Sequence, residues 1–322
     1  MSTTITLHSY AEQFLDERRR LGFASRTMAY ALGSFSRHVE ALGIDGPLTV
    51  EVMAAWARCP KTASDDPKTW ARRLKVLRPF ARWLRQFEPC TEVPDNTIFG
   101  SADQRLTPHI YTEQEIADLL AAAHALQPML RGATYETLFG LLAASGLRVS
   151  EAVHLLDADV DLKSALLTVR QTKFAKFRQV PVHPSTLAAL RGYRRLRDAQ
   201  ITITEEMPFF VGTRGRRHGC ALSLRQVTRV FQRLRSQLSW VNRGAHAAPR
   251  IHDLRHTFVV RRMLLWQAQG IDINQQMLAL STYVGHAMVT NTYWYLTAVP
   301  ELMALAAEQF EPLLPDAEVD HV

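Results

Sequence analysis

The chain has 322 residues, of which 47% are hydrophobic and 21% are charged, a composition that excludes wholesale disorder and is typical of a globular protein with room for two domains. No apolar run approaches the roughly 20 residues that a membrane-spanning helix needs, and the N-terminus lacks the basic and then apolar pattern of a secretory signal. We therefore expect a cytoplasmic protein. Its three isolated cysteines, Cys59, Cys90 and Cys220, predict neither a disulfide framework nor a metal knuckle.

The net charge is +7 and the pI is about 9.5, and the basic residues are concentrated in two stretches. Residues 69–85 contain six basic residues and no acid, and residues 170–243 contain 16 Lys and Arg against three Asp and Glu. A solvated helix face would ordinarily mix both signs, whereas the guanidinium fork suits phosphate oxygens. Both stretches are therefore expected to bind a polyanion such as nucleic acid.

The first 89 residues predict a bundle of four amphipathic helices. Ser25 and Thr49 are expected to cap the second and third helices, and Pro67 lies near the first turn of the fourth. Pro79 should kink or interrupt that fourth helix, because proline removes a backbone hydrogen bond.

Residues 90–108 are rich in Pro, Gly, Asp, Ser and Thr and show no periodicity, which predicts an interdomain linker. A second domain is expected over residues 109–314, followed by an acidic tail at 315–322. Its helical patterns are interrupted by "SALLTVRQ" and "FRQVPVHP", whose period of two predicts a β-hairpin. The expected fold is mainly α: a helical bundle, then an α+β domain with a small antiparallel sheet.

Local signals place several helix ends in the second domain. Thr112 and Glu115 form a capping-box motif. A long apolar helix should break near Gly146, and a short helix capped by Ser150 should follow it.

The segment "IHDLRHTF" places His252 and His256 one helical turn apart. This spacing alone fits a zinc clip, two ordinary helix-face histidines or part of a phosphate site. A helical metalloprotease clip requires Glu directly after the first histidine, where this chain has Asp253. Arg255 between the histidines would also repel a dication, so we expect no metal and no cofactor.

Other motifs favour the phosphate site. Arg148 lies in "AASGLRVSEAVHL", the turn of the hairpin carries Lys173, and "HDLRHTF" supplies His252 and Arg255. "YVGHAMVTNTYWYL" then supplies His286 and, nine residues later, Tyr295.

In this order the motifs resemble those of the tyrosine recombinases, also called the phage-integrase family. The resemblance covers about residues 108–312. The N-terminal half fits that family's core-binding domain by helix number and charge alone.

The resemblance implies a site-specific DNA recombinase or integrase that cleaves and rejoins DNA through a covalent 3′-phosphotyrosine, without metal. The chemistry suits these residues, because two permanently charged guanidiniums can stabilise the charge that develops on the non-bridging oxygens, and a phenol can act as the nucleophile. The implied roles are charge stabilisation by Arg148 and Arg255, nucleophilic attack by Tyr295, proton acceptance by His252, proton donation by Lys173, and a hydrogen bond to phosphate from His286.

Several positions have rivals or supporting neighbours. Lys176 competes with Lys173 as the general acid, and Tyr293 competes with Tyr295, although the step of nine residues from His286 selects Tyr295. Glu151 is expected to orient Arg148, and His256 to be a structural or supporting group. The residues expected to bind DNA backbone are Arg72, Arg73, Lys75, Arg78, Arg82, Lys176, Arg178, Arg214, Arg216 and Arg217.

The expected partner is double-stranded DNA, and the family implies a homotetramer on two DNA sites. Each protomer would then dock its C-terminal helix, near residues 300–312, on a neighbour. The divergent N-terminal half favours a mobile-element integrase from a transposon or phage. The alternatives are an enzyme like a type IB topoisomerase that relaxes a single duplex, and a non-catalytic DNA-binding protein of the same fold.

Overall fold

The computed structural model describes residues 6–23, 26–44, 46–59, 65–102, 105–170, 177–202 and 204–298. The chain divides into two compact units, Met1–Arg105 and Leu106–Val322. None of the helices in the described ranges combines the length and the apolar character that crossing a membrane requires.

In its described residues the first unit is a bundle of four helices. They are α1 (Leu7–Arg20), α2 (Arg26–Ala41), α3 (Val50–Arg58) and α4 (Pro67–Leu84). The hydroxyl of Thr49 accepts a hydrogen bond from the amide of Val52 at the start of α3, as a helix cap should. The interruption predicted at Pro79 is absent, because α4 continues through it to Leu84. The predicted cap Ser25 lies outside the described residues.

The boundary between the units falls inside the segment predicted to be a linker, but the part before it packs on the bundle. The amide of Val50 donates to the carboxylate of Glu92 at 2.6 Å, and the rings of Trp70 and Phe99 are 5.6 Å apart. The stretch from Glu92 to Phe99 is therefore part of the first unit in its packing.

The second unit is mainly helical. Its described helices are α5 (Glu113–His124), α6 (Met129–Ser145), α7 (Val149–Val153), α8 (Pro184–Asp198), α9 (Leu224–Arg235), α10 (Asp253–Ala268), α11 (Ile273–Val284) and α12 (Thr290–Ala298). The capping box predicted for α5 is confirmed, because Thr112 and Glu115 exchange both hydrogen bonds. The helix predicted near residues 300–312 lies outside the described residues.

A three-stranded antiparallel sheet lies between α7 and α8 in the chain. It has the order β1 (Val160–Asp161), β2 (Leu166–Val169) and β3 (Arg178–Pro181). Pairing of Leu167 with Val180 sets the register of β2 and β3. The two predicted hairpin strands are thus confirmed, whereas β1 was not predicted and the turn at residues 171–176 is not described.

Two apolar clusters hold the second unit together. The larger one surrounds α6, whose apolar side chains are buried on several faces. The smaller one joins α10, α11 and α12 and contains Tyr295. The segments from α10 to α12 therefore rest on packed helices rather than on isolated loops.

Candidate active site

Arg148 stands at the junction of α6 and α7. The break before it is confirmed at Gly146, which has a φ of 62° and where a Cβ would lie 2.5 Å from the ring of Phe258. A residue other than glycine would be strained there and would clash. Arg148, rather than the predicted Ser150, occupies the position before α7, and its amide donates to Glu151 at 2.9 Å.

The guanidinium of Arg148 is held from two sides. Nη1 donates to Glu151 Oε1 at 2.8 Å, and Nη2 donates to the carbonyl of Gly285 at 2.8 Å. Its side chain is still 35% exposed. Arg148 is therefore fixed in direction while part of it remains accessible to a ligand.

Glu151, which the sequence assigned to orienting Arg148, is nearly buried. Burial alone would raise the pKa of its carboxyl group. The hydrogen bonds and charge of Arg178, together with hydrogen bonds from Arg148, outweigh burial and hold that pKa below its ordinary value. The carboxylate is therefore ionised at neutral pH, as a partner for two guanidiniums requires.

Arg255 lies in the first turn of α10 and is only 2% exposed. Its Nη1 donates to the carbonyl of Gly146 at 2.6 Å, whereas its buried Nη2 has no hydrogen-bond partner among the described residues. Burial, and then the charge of Arg148, lower the pKa of Arg255 to about 10. A buried cation whose pKa is lowered by a second cation marks a site with a deficit of negative charge.

The start of α10 is anchored by an ion pair whose carboxylate is buried. Asp253 is fully buried and accepts hydrogen bonds from the guanidinium and the amide of Arg250, with the Nη2 to Oδ1 distance at 2.7 Å. The pair spans His252 in the chain, and Arg255 lies two residues beyond Asp253. The pair therefore fixes the turn from which both of those side chains project.

His252 is the residue that the sequence assigned as the proton acceptor. Its pKa is lowered to about 4. Desolvation by the surrounding groups is the largest cause, although part of the residue stays exposed, and the charges of Arg255 and Arg250 come next. Its ring meets the ring of His256 edge to face at 4.9 Å. His252 is therefore neutral at pH 7 and able to accept a proton.

Tyr295 lies on α12 and is 2% exposed, whereas its rival Tyr293 is 37% exposed. The hydroxyl of Tyr295 is 2.6 Å from Nδ1 of His256. Burial, and then the nearby His252, lower the pKa of His256 far below its ordinary value. With the proton of the neutral ring on Nε2, the Nδ1 atom accepts from the phenol. The contact to the phenol is thus made by His256, which the sequence treated as a supporting group.

His286 follows the left-handed Gly285 that ends α11. Its Nδ1 lies 2.7 Å from the hydroxyl of the buried Thr292, and its ring is nearly parallel to the ring of Tyr295 at 6.4 Å. The structure therefore brings together Arg148, Glu151, His252, Arg255, His256, His286 and Tyr295.

Apart from Arg178, the remaining residues predicted to act as the acid or to bind DNA fall into three groups. Lys173 and Lys176 lie outside the described residues. Arg72, Lys75 and Arg82 on α4, and Arg214, Arg216 and Arg217 before α9, are exposed, as residues that bind a DNA backbone would need to be. Arg73 and Arg78 donate to the carbonyls of Cys59 and Asp95, and the exposed Arg214 likewise donates to the carbonyl of Gln127.

Arg178 differs most from its prediction. Its side chain is 11% exposed and is paired with Glu151, so the structure gives no support to a role in binding DNA on the surface. Sequence reasoning also missed the carbonyls of Gly146 and Gly285 and the hydroxyl of Thr292, because backbone partners and spatial neighbours leave no motif.

Among the described residues, no group of three or more His, Cys, Asp and Glu is arranged to hold a metal ion. The side chain of Asp253, between the two histidines in the chain, is bound by Arg250. The described site thus presents cations and neutral imidazoles, which favours an anionic ligand over a metal.

Comparisons of the sequence with known proteins point to one family. The model of the phage integrase family matches residues 110–301. The putative integrase/recombinase y4rB of Sinorhizobium fredii is 37% identical over 313 residues, which cover 95% of this chain and 97% of that protein. Tyrosine recombinase XerC of Chromobacterium violaceum is 30% identical over 228 residues, which cover 71% of this chain and 69% of that protein.

Solved structures share the fold at low sequence identity. The Tn1549 transposon integrase in complex with transposon right end DNA has a TM-score of 0.65 at 17% identity, covering 95% of this chain and 99% of that one. A lambda integrase dimer bound to a core site has a TM-score of 0.60 at 18% identity, covering 88% of this chain and 96% of that one. From the family match and its relatives, the chain belongs to the phage integrase family, the tyrosine recombinases.

Proposed function

We propose that this protein is a site-specific DNA recombinase that cleaves and rejoins DNA through a covalent 3′-phosphotyrosine at Tyr295, without a metal ion. The observation that carries the proposal is a convergence of side chains from distant parts of the chain. Two guanidiniums, Arg148 and Arg255, surround a site in which the Tyr295 hydroxyl is bound to a neutral histidine.

In the proposed step, the Tyr295 oxygen attacks the scissile phosphorus, a new bond forms between them, and the bond from phosphorus to the 5′ oxygen breaks. The departing 5′ oxygen takes a proton, for which Lys173 remains the predicted donor. Negative charge grows on the non-bridging oxygens as the attack proceeds. Arg148, Arg255 and His286 would stabilise that charge by hydrogen bonds that strengthen in the transition state.

The phenol must lose its proton during the attack. Its ordinary pKa is near 10, so a neutral acceptor within hydrogen-bond distance is needed. His256 is at that distance, and His252 contacts His256 ring to ring. We propose that His256 accepts the proton first and that His252, the acceptor predicted from the sequence, supports it. The negative scissile phosphate would offset the low basicity of both rings.

The proposed substrate is double-stranded DNA, bound in part by the exposed basic residues of α4 and of the segment before α9. A mobile-element role is supported by the likeness to proteins named integrase and to a transposon integrase in complex with DNA. We further propose a homotetramer on two DNA sites, in which the segment near residues 300–312 docks on a neighbouring protomer, and a cytoplasmic location.

The experiment that tests this function captures the covalent adduct from a mixture of DNA fragments, so that the protein itself selects the target site. Sheared and nicked DNA that carries the gene and its flanking sequence is incubated with the protein in EDTA. Adducts that resist SDS are then precipitated and sequenced. We expect one sequence to be enriched with the native chain, no adduct with Tyr295→Phe, and an adduct with the matched control Tyr293→Phe.

Three outcomes would contradict parts of the proposal. An adduct that persists in Tyr295→Phe would assign the nucleophile elsewhere, and loss of the adduct in EDTA would mean that a metal is required. Sequence-selective DNA binding by the native chain without any adduct would favour the non-catalytic alternative.

A further inference from the structure

We propose that Arg178 is a positioning residue for the strand-cleavage reaction. Its guanidinium would hold both Arg148 and the turn that carries His286 where the scissile phosphate binds. This inference rests on the proposed function, because it assigns Arg178 a task in that chemistry. The sequence placed Arg178 among the DNA-binding residues, whereas in the structure it pairs with Glu151.

The contacts of Arg178 use both edges of its guanidinium. Nη1 and Nη2 donate to the two carboxylate oxygens of Glu151 at 3.1 and 3.0 Å. Nε donates to the carbonyl of Tyr283 at 2.9 Å, and Nη2 also reaches the carbonyl of Val284 at 3.2 Å. One side chain on β3 thus joins the start of α7 to the end of α11. A bidentate pair of this kind fixes orientation as well as distance.

Glu151 and the end of α11 are the two supports of Arg148. The same carboxylate that pairs with Arg178 accepts from Nη1 of Arg148 at 2.8 Å. Nη2 of Arg148 donates to the carbonyl of Gly285, which directly follows Val284. The contacts therefore form a closed ring from Arg178 through Glu151, Arg148 and the turn, back to Arg178. Movement of Arg178 would disturb both anchors of Arg148 at once.

The backbone at Gly285 lies against the Arg178 guanidinium. Gly285 has a φ of 74°, and a Cβ there would lie 2.6 Å from Nη1 and 2.7 Å from Cζ of Arg178. Only glycine fits at this distance and this φ. His286 is the next residue, so the position of its ring depends on a turn that is packed against Arg178.

Ordinary alternatives explain these facts less well. A solvated arginine on a strand would be mostly exposed, whereas the side chain of Arg178 is 11% exposed. Lysine could not replace it in full, because one ammonium cannot span both oxygens of Glu151 and two carbonyls. The geometry points to Arg178 as the link between Glu151, which holds Arg148, and the turn that carries His286.

The test compares Arg178→Met with Arg197→Met, a matched control. Arg197 is also a buried arginine of the second unit, but it pairs with Asp157 at 2.6 Å and donates to the carbonyl of Phe209 at 2.9 Å. Each variant is assayed on the DNA site recovered by adduct capture. The assay measures single-turnover adduct formation, DNA affinity and thermal unfolding.

Two versions of the site separate positioning from a general loss of structure. One has the natural phosphodiester, and the other has a methylphosphonate at the scissile position, which removes the negative non-bridging oxygen that the guanidiniums stabilise. A residue that acts through Arg148 should matter little when that charge is absent. Arg148→Ala serves as the reference for this behaviour.

We expect Arg178→Met to slow adduct formation on the phosphodiester by about 100-fold, as small displacements at a reacting centre do. Its DNA affinity should stay within about threefold of the native value, because Arg178 is not on the surface. On the methylphosphonate its deficit should shrink to less than about fivefold, in parallel with Arg148→Ala. Arg197→Met should show the same small deficit on both versions. If Arg178→Met does not fold, Arg178→Lys takes its place and should retain a partial deficit with the same substrate dependence.

A rate within about threefold of native on the phosphodiester, or an equal deficit on both versions, would overturn the proposal. If the native chain forms no adduct, the proposed function fails, and hydrogen exchange then decides the inference separately. Faster exchange over residues 278–290 in Arg178→Met but not in Arg197→Met would support the positioning of the turn by Arg178. Unchanged exchange there would overturn it.

Discussion

The two sides of the candidate site are built differently. On the arginine side, Arg148 and Arg178 share the carboxylate of Glu151 and bind backbone carbonyls at the end of α11. On the histidine side, the Tyr295 hydroxyl meets His256, and the rings of His256 and His252 contact each other. Ionised groups organise the first side, and neutral rings organise the second.

The contrast follows from the task of each side. Stabilising the developing charge of a phosphate needs fixed cations, whose orientation must not depend on the substrate. Accepting a proton from a phenol needs a base that is uncharged beforehand. Desolvation and neighbouring cations keep His252 and His256 neutral. The arginines thus help to set the protonation state of the histidines as well as the charge of the site.

The largest effect is expected from Arg255, where the two sides meet. Arg255→Lys should slow adduct formation by about 100- to 1,000-fold, because one ammonium cannot bind Gly146 and a phosphate oxygen as a planar guanidinium can. Single-turnover cleavage of the captured site measures this, with thermal unfolding as the check on folding. A loss of less than about fivefold would mean that the buried Arg255 serves the fold rather than the phosphate.

His256→Asn tests the histidine side and should slow adduct formation by about 100-fold at pH 7, the scale of lost proton transfer. The matched variant His252→Asn should have the smaller effect, because His256 makes the hydrogen bond to the phenol and His252 contacts the ring of His256. Rates of both variants are compared at saturating DNA. The reverse order would assign the proton to His252, as the sequence alone suggested, and would make the His256 contact a means of holding the phenol.

The smallest expected effect is the change of the free energy of unfolding with pH. Folding lowers the pKa of His252 from 6.5 to about 4, so between these values the unfolded chain binds more protons than the folded one. The free energy of unfolding should therefore fall as the pH falls through this window. Glu151 adds a loss only at lower pH, since its lowered pKa starts from 4.5.

Thermal unfolding of the native chain, His252→Asn and His256→Asn from pH 7.5 to 4.5 checks this expectation. Both variants should show a shallower decline than the native chain, because each removes one group that protonates on unfolding. Equal slopes would mean that the two histidines carry ordinary pKa values in the folded protein.

Much of the fold was readable from local pattern. The helices, the hairpin strands and the Thr112 and Glu115 capping box follow from periodicity and from local hydrogen-bonding chemistry. The continuation of α4 through Pro79 could not be predicted from local pattern, because packing of one face in the bundle can outweigh one missing hydrogen bond. The two-residue strand β1 was too short to leave a period.

Arg178 shows why a local reading can miss a role. It shares a face of β3 with the buried Val180, and residues two apart in a strand point the same way. That signal indicated an inward side chain, but the basic composition of the region suggested a surface. Its carboxylate partner is 27 residues away in the chain, a separation that no local pattern encodes.

The sequence by itself determined the kinds of chemical groups, their order and the helices that carry them, because these depend on side-chain type and on local periodicity. Only the tertiary structure decided which histidine meets Tyr295, which arginine faces inward and which carbonyls hold the guanidiniums. Those outcomes depend on distances between residues remote in the chain, which are fixed when helices and strands pack against one another.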